Sequence, residues 1–257
     1  MVTYGFKKGF TLAEVLITIA IIGIVAALTI PTLIHKYQDY SLKVQFKKTY
    51  AMLRQAMQMA EYDFGVPPKC YYWDVNPYGP AVCSEYAEDG NTCIGGYVLV
   101  STGKPVPSDY SGIFTECSLF GKAIGENLKF ARVCKKEPYA NGCVPEYEGR
   151  DTYDGGSQMA SGMPSAQKKD NLMNENHTMV LADGTIVING WGTVNISPQL
   201  FFVDINGKKG PNKWGYDLFS FRLYKDSKGI LKFKEGSGFK ESGGKTVNEM
   251  LQEISSK

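Results

Sequence analysis

The chain has 257 residues, enough for one or two domains, and its 43% apolar content is that of an ordinary globular protein. Lys and Arg number 28 against 26 Asp and Glu, so no global attraction draws it to nucleic acid or anionic lipid, and only a local patch can do so. Two histidines, with no Gly-x-Ser-x-Gly and no His-Glu-x-x-His pattern, argue against the common hydrolase and zinc-protease chemistries.

The first element is residues 10–34, FTLAEVLITIAIIGIVAALTIPTLI, in which Glu14 is the single charge. As a helix this run spans roughly 37 Å, enough to cross a hydrocarbon core with some tilt. In lipid only a helix satisfies its own backbone. The residues ahead, MVTYGFKKG, end in Lys7, Lys8 and Gly9. They are short for a secretory leader, and no small-x-small cleavage site follows the apolar run, so the helix is expected to stay. Lys7 and Lys8 favour an inside amino terminus, but His35, Lys36, Lys43, Lys47 and Lys48 lie just past the other end. Glu14 stands where an ionisable group costs up to ~3 kcal/mol if centrally placed. Gly23 and Pro31 are poor helix-interior residues. Interface contact and membrane-helix tolerance explain each alone. They do not explain all three behind a Lys-Lys-Gly-Phe junction.

Lys8-Gly9-Phe10-Thr11-Leu12-Ala13-Glu14-Val15-Leu16 resembles the class III signal of type IV pilins and type II secretion pseudopilins. The likeness continues over Ile17 to Ile34, with Pro31 where that family usually has a proline. The resemblance implies a prepilin peptidase that cuts between Gly9 and Phe10 and methylates Phe10. It implies that Glu14 contacts the amine of a neighbouring subunit, and that Gly23 and Pro31 mark where the helix bends or melts. The implied partners are other pilin or pseudopilin subunits and an inner-membrane assembly platform with its ATPase. Removal of residues 1–9 takes away Lys7 and Lys8, leaving 26 basic against 26 acidic residues.

Residues 35–62 contain no Gly or Pro and continue the helix. Leu42, Phe46, Tyr50, Leu53, Met57 and Ala60 recur at spacings of four and three, a stripe on one face. The opposite side carries Lys43, Lys47, Lys48 and Arg54, which reads as a solvated face sooner than as a grip on DNA or a neighbour.

Six cysteines follow, Cys70, Cys83, Cys93, Cys117, Cys134 and Cys143, none in a Cys-x-x-Cys pair. An even count among Gly, Pro and Tyr favours disulfides and a domain facing outward. Cys134 and Cys143 are the best local pair. Residues 63–110 read as turns around one strand, Tyr97-Val98-Leu99-Val100. Phe120, Ile124, Leu128 and Ala131 suggest a second, shorter helix. Residues 145–176 are polar and read as an exposed excursion.

The last third changes period. Residues 178–181 and 185–188 flank Ala182-Asp183-Gly184, and Leu200 to Asp204, Leu218 to Tyr224 and Ile230 to Phe233 follow as strands. Thr246 with Glu249 offers a capping box before a short helix bearing Val247, Met250, Leu251 and Ile254.

Asp204, Asn206, Asn212 and Asp217 offer hard oxygens of the kind calcium takes, and some pseudopilins bind calcium in such a segment. A tight loop uses the same residues, and Lys208 and Lys209 stand where an EF-hand needs a ligand and a glycine, so a structural turn is the simpler reading. Gly244-Lys245-Thr246 imitates the end of a phosphate loop, but Phe239 replaces the required glycine. No pair of acids is marked for catalysis, and an enzyme is not expected.

The expected fold is α+β: a long amino-terminal helix, half for lipid and half amphipathic, packed on a disulfide-bearing head with an antiparallel sheet of four or five strands. Residues 1–9 form the leader, 10–34 the transmembrane and assembly helix, 35–62 its amphipathic continuation and 63–257 the head. The resemblance implies a subunit held by a single pass in the inner membrane, its head outside, then built into a periplasmic or surface filament. Two alternatives stay open: a minor pilin with a DNA-uptake or adhesive role, and a plain single-pass anchored binding protein.

Overall fold

The computed structural model describes residues 9, 11–64, 70–73, 81–88, 93–108, 110, 114–115, 125–153, 165–188, 200–226 and 230–256. Helix α1 runs unbroken from Leu12 to Phe64 with Pro31 inside it. The chain divides into two compact units, residues 1–41 and 42–257. In the first, α1 has the length and composition to cross a membrane, with a mean hydropathy of 2.5 in its most apolar window.

In the second unit β1 (Cys70–Trp73), β2 (Ala81–Cys83), β3 (Tyr97–Leu99) and β4 (Phe114–Thr115) form a small array in the order β3-β2-β4-β1. The main array contains β5 (Phe130–Cys134), β6 (Thr178–Leu181), β7 (Ile186–Ile188), β8 (Leu200–Asp204) and β9 (Leu218–Lys225). These strands pair antiparallel in sequence order, and β10 (Leu231–Glu235) also pairs with β9. Parallel pairing of β1 with β9 joins the two arrays. The five strands anticipated in the last third are β6 to β10, and β5 with β1–β4 enlarges the sheet beyond them.

Each face of the main array has its own apolar cluster, as expected when alternate residues of a strand point opposite ways. On one face Phe219, Phe221 and Leu223 of β9 pack with Phe201, Val203 and Phe233, and the α1 residues Phe46, Leu53, Ala56 and Met57 close over them. The Phe46 ring stands edge-on to Phe219 at 4.9 Å between centroids and stacks on Phe221 at 6.1 Å. Helix α2 (Val247–Ser255) adds Val247 and Met250 to this cluster. Its start is fixed by the Thr246–Glu249 capping box.

The other face buries Ile186, Ile188, Phe202 and Leu218 with Val144, Tyr147, Leu172, Met173 and Trp214. That cluster corrects the reading of residues 145–176 as an exposed excursion. Tyr147 and Leu172 sit in the core, and Gln167 is buried with them. Few apolar residues punctuate the segment, but those it has pack on the second face of the sheet beside Val144, Trp214 and Phe239.

The second, shorter helix is met in part. Residues 125–127 are helical, and residues 116–124, with Phe120 and Ile124, lie outside those described. Only its end is corrected, because Ala131 falls on strand β5 (Phe130–Cys134). Pairing with β6 through Phe130↔Leu181 and Cys134↔Thr178 overrides the helical spacing of Leu128 and Ala131.

Candidate functional site

The first site is the start of α1. Gly9 is exposed and in no regular element, and Phe10 lies outside the described residues. One carboxylate oxygen of Glu14 accepts the Thr11 backbone N–H and the Thr11 hydroxyl, each at 2.8 Å. The Glu14 N–H donates to Thr11 Oγ1 at 3.3 Å. Thr11 and Glu14 thus form a reciprocal cap over otherwise orphaned donors of the first turn. Beyond it, Leu12, Leu16, Ile22, Leu28 and Leu33 are each more than half exposed, and the large apolar residues between them are exposed too. A Cβ on Gly23 would meet nothing within 4 Å, so nothing described in the chain requires a glycine there.

The second site is the β8–β9 connection. Asp204 and Asp217 are fully buried carboxylates. Asp204 Oδ2 accepts the Tyr147 hydroxyl at 2.7 Å, and Oδ1 accepts the Asn206 N–H at 3.1 Å. Asp217 takes the Asn212 and Lys213 N–H groups, one on each oxygen at 2.7 Å. Burial, then the facing Asp217 carboxylate, pushes Asp204 well above the ordinary carboxylate range, against the pull of its donors. Burial also raises Asp217, and burial with the adjacent Asp204 raises the Tyr147 hydroxyl well above its usual value. Trp214 anchors the loop, donating Nε1–H to the Glu148 carbonyl at 2.8 Å and its N–H to Glu241 at 3.1 Å. At Gly207, φ is +65°, and a Cβ would run into the Gly184 carbonyl, so the chain needs glycine there twice over.

Each of the four carboxylate oxygens accepts one N–H or O–H from the chain, the arrangement of a structural turn. Among the described residues no group of three or more His, Cys, Asp or Glu side chains is gathered as ligands. Asn206 Oδ1 and Asn212 Oδ1 are buried and accept nothing, spare capacity that supplies no charge.

Cys134 joins Cys143, the pair favoured by spacing, and Cys83 joins Cys93. No described cysteine is free. Cys117 and the side chain of Cys70 lie outside the described residues.

A model of the prokaryotic N-terminal methylation motif matches residues 6–30, the segment holding Gly9, Phe10, Glu14 and Gly23. A fimbrial protein of Pseudomonas aeruginosa is 42% identical over 55 residues, 21% of this chain and 33% of that protein. The type IV major pilin protein PilE of Neisseria gonorrhoeae is 39% identical over 66 residues, 24% of this chain and 37% of its own length. Over its first quarter the chain is similar to type IV pilins. The chain spans about a third of the length of the curated relatives it matches. No solved structure matches it significantly.

In this pilin-like chain the basic side of α1 is partly neutralised. Lys43 pairs with Glu253 at 2.6 Å and Lys48 with Asp183 at 2.9 Å. Lys47 and Arg54 instead line a groove of about 660 Å³ between α1 and α2, with Tyr50, Leu251 and Ile254. Two site residues escaped sequence reasoning. Thr11 was detectable, since Thr-Leu-Ala-Glu has the spacing of a capping box. Tyr147, fifty-seven positions from the aspartate it serves, gave no local signal.

Proposed function

We propose that the chain is a structural subunit of a type IV pilus or a type II secretion pseudopilus, without catalysis of its own. The observation that carries this reading is the open apolar surface of α1, whose large side chains from Leu12 to Ile34 are 47% to 81% exposed. Such a surface needs lipid or copies of itself as cover. Residues 1–9 act as the leader, 10–34 as the anchoring and assembly helix, 35–62 as its amphipathic continuation and 63–257 as the head. Prepilin peptidase cuts between Gly9 and Phe10 and methylates Phe10, and an assembly platform then moves the subunit out of the inner membrane.

In lipid, burying one apolar helix against another brings no hydrophobic gain, so packing and polar contacts decide the partner. Glu14 supplies the polar contact, pairing with the Phe10 amine of a neighbour and setting axial register. Once the filament leaves the bilayer, covering the same surface contributes about 25 cal/mol per Å² of apolar area. The two cystines support a head outside the cytoplasm, where disulfides persist.

Intact-mass measurement on protein from cells with prepilin peptidase tests the reading. The expected species starts at Phe10 and carries one methyl group. A chain retaining Met1 to Gly9 overturns it in favour of a plain anchored binding protein.

A further inference from the structure

Lys47, Tyr50, Ala51 and Arg54 stand at helical intervals of three and four on α1, and they form one wall of the α1–α2 groove. Leu251 and Ile254 of α2 give the facing wall its apolar part. Lys47 and Arg54 are exposed and lie about 10 Å apart along the helix axis. Neither enters an ion pair among the described residues. Nearby lysines of α1 do, since Lys43 is held by Glu253 and Lys48 by Asp183. The groove is an apolar slot of about 660 Å³ flanked by two uncommitted cations.

A surface of opposite character lies elsewhere on the head. The Cys83–Cys93 disulfide closes a loop that carries Glu85 and Glu88, both exposed and both outside every ion pair among the described residues. Ile94, 60% exposed, follows the second cysteine. The loop is held in shape. The Glu85 carbonyl accepts the Ile94 and Gly95 N–H groups at 2.9 and 3.1 Å, and the Ser84 N–H and hydroxyl both donate to the Gly96 carbonyl. A Cβ on Gly95 would stand 2.6 Å from Glu85 Cβ, so the two sides of the loop are pressed together. Three residues of extended chain reach about 10 Å, and Glu85 and Glu88 can therefore match the spacing of Lys47 and Arg54. By contrast, Glu146, Glu148, Asp226, Glu249 and Glu253 already pair with lysines.

Solvated surface explains two cations or two carboxylates taken singly. It does not explain an apolar slot between one pair and an exposed isoleucine beside the other. We propose that the Glu85–Glu88 side of the Cys83–Cys93 loop docks into the α1–α2 groove of a second copy of this chain. Its carboxylates meet Lys47 and Arg54, and Ile94 meets Leu251 and Ile254. The two patches are different surfaces of one head, so the contact is head-to-tail and propagates from copy to copy, where a two-fold contact would close on itself. The charges set register and reject a meeting of two basic grooves, and the loop arrives already ordered by its disulfide and backbone bonds. For its use this inference rests on the filament reading, to which it adds a contact between heads. Its test needs no filament.

The full chain in non-ionic detergent, half of it labelled with nitrogen-15, is treated with a carbodiimide, which joins an amine to a carboxylate in contact with it. We expect mixed-isotope peptides linking Lys47 to Glu85 or Glu88, with a yield that falls at least about fivefold between about 50 and 500 mM salt. Lys47→Glu with Arg54→Glu, and Glu85→Lys with Glu88→Lys, should each lose the linked dimer alone. Mixing the two variants should restore it, because each groove then faces a loop of opposite charge. Glu126→Lys with Glu175→Lys, exposed acids elsewhere on the head, should leave the yield unchanged. No link between copies at low salt, links from Lys47 only to other acids, dimer kept by either variant alone, or a mixture that stays unlinked each overturns the proposal. Retention of Met1 to Gly9 would overturn the filament reading without touching these links.

Discussion

Thr11 and Glu14 hold each other: the Glu14 carboxylate takes both donors of Thr11 at 2.8 Å, and the Thr11 hydroxyl takes the Glu14 N–H. The carboxylate proposed to reach a neighbouring subunit is therefore already engaged in the single chain. Assembly has to exchange one partner for another, or share the second carboxylate oxygen, which these bonds leave unused.

Glu14→Gln separates the two roles. Glutamine serves at the third position of a capping box but carries no charge. If the charge recruits the next subunit, Glu14→Gln and Glu14→Ala both abolish filaments while membrane insertion and the head's cystines persist. Filaments formed by Glu14→Gln and lost only in Glu14→Ala would assign the residue to the cap.

The Asp204–Asp217 pair makes the stability of the head fall as pH rises. A buried carboxyl whose folded pKa is raised binds its proton more tightly in the native state than in the unfolded one. Unfolding then releases protons, so ΔG declines from about pH 4, the unfolded aspartate value, until the folded group ionises. One such group gives a limiting slope of about 1.4 kcal/mol per pH unit. Asp183, Glu249 and Glu253 are lowered by their lysines and work the other way, but they are exposed and screened by salt. Urea midpoints at high salt should therefore drop between pH 5 and pH 8 in wild type, less steeply in Asp204→Asn, where the buried Asp217 still titrates, and least in Asp204→Asn with Asp217→Asn. A midpoint that rises over this interval contradicts the assignment.

Tyr147→Phe removes a buried donor from Asp204 and leaves the ring in place. The expected loss is about 1–3 kcal/mol, seen as a lower urea midpoint with an unchanged slope. No loss would show that the hydroxyl is dispensable to the carboxylate.

Calcium and chelator should leave the melting temperature of the head unchanged, because the carboxylates are committed to donors of the chain. A native-state ligand raises stability by mass action. A rise of several degrees with calcium, absent in Asp217→Asn, would establish a metal site in the loop.

Opening the Cys134–Cys143 link should cost about 2–3 kcal/mol, since it restores conformational freedom to a short unfolded loop. The comparison is Cys134→Ser with Cys143→Ser against wild type under oxidising conditions. Unaltered stability would mean that Lys208 and the surrounding backbone bonds hold the loop by themselves.

The parts of this molecule legible in its sequence are those whose signal is local and periodic. The stripe from Leu42 to Ala60 repeats at helical spacing, and Phe219, Phe221 and Leu223 alternate with Ser220 and Arg222, so helix and strand declare themselves. Thr246 and Glu249 mark their helix start in four residues. β5 misled because Leu128 and Ala131 fall at a helical interval while the partner that makes the segment a strand lies some fifty residues away. The burial of Tyr147 was hidden for the same reason. Spacing along the chain carries no record of such meetings.

Phe46 leaves the ribosome long before the strand that covers it. Its ring partners on the sheet, Phe219 and Phe221, sit more than 170 positions later, on a strand that also holds β1, β8 and β10. The apolar stripe of α1 therefore stays without these partners through most of synthesis, until β9 is made. A chain interrupted before β9 leaves the helix stripe without the strand it packs on.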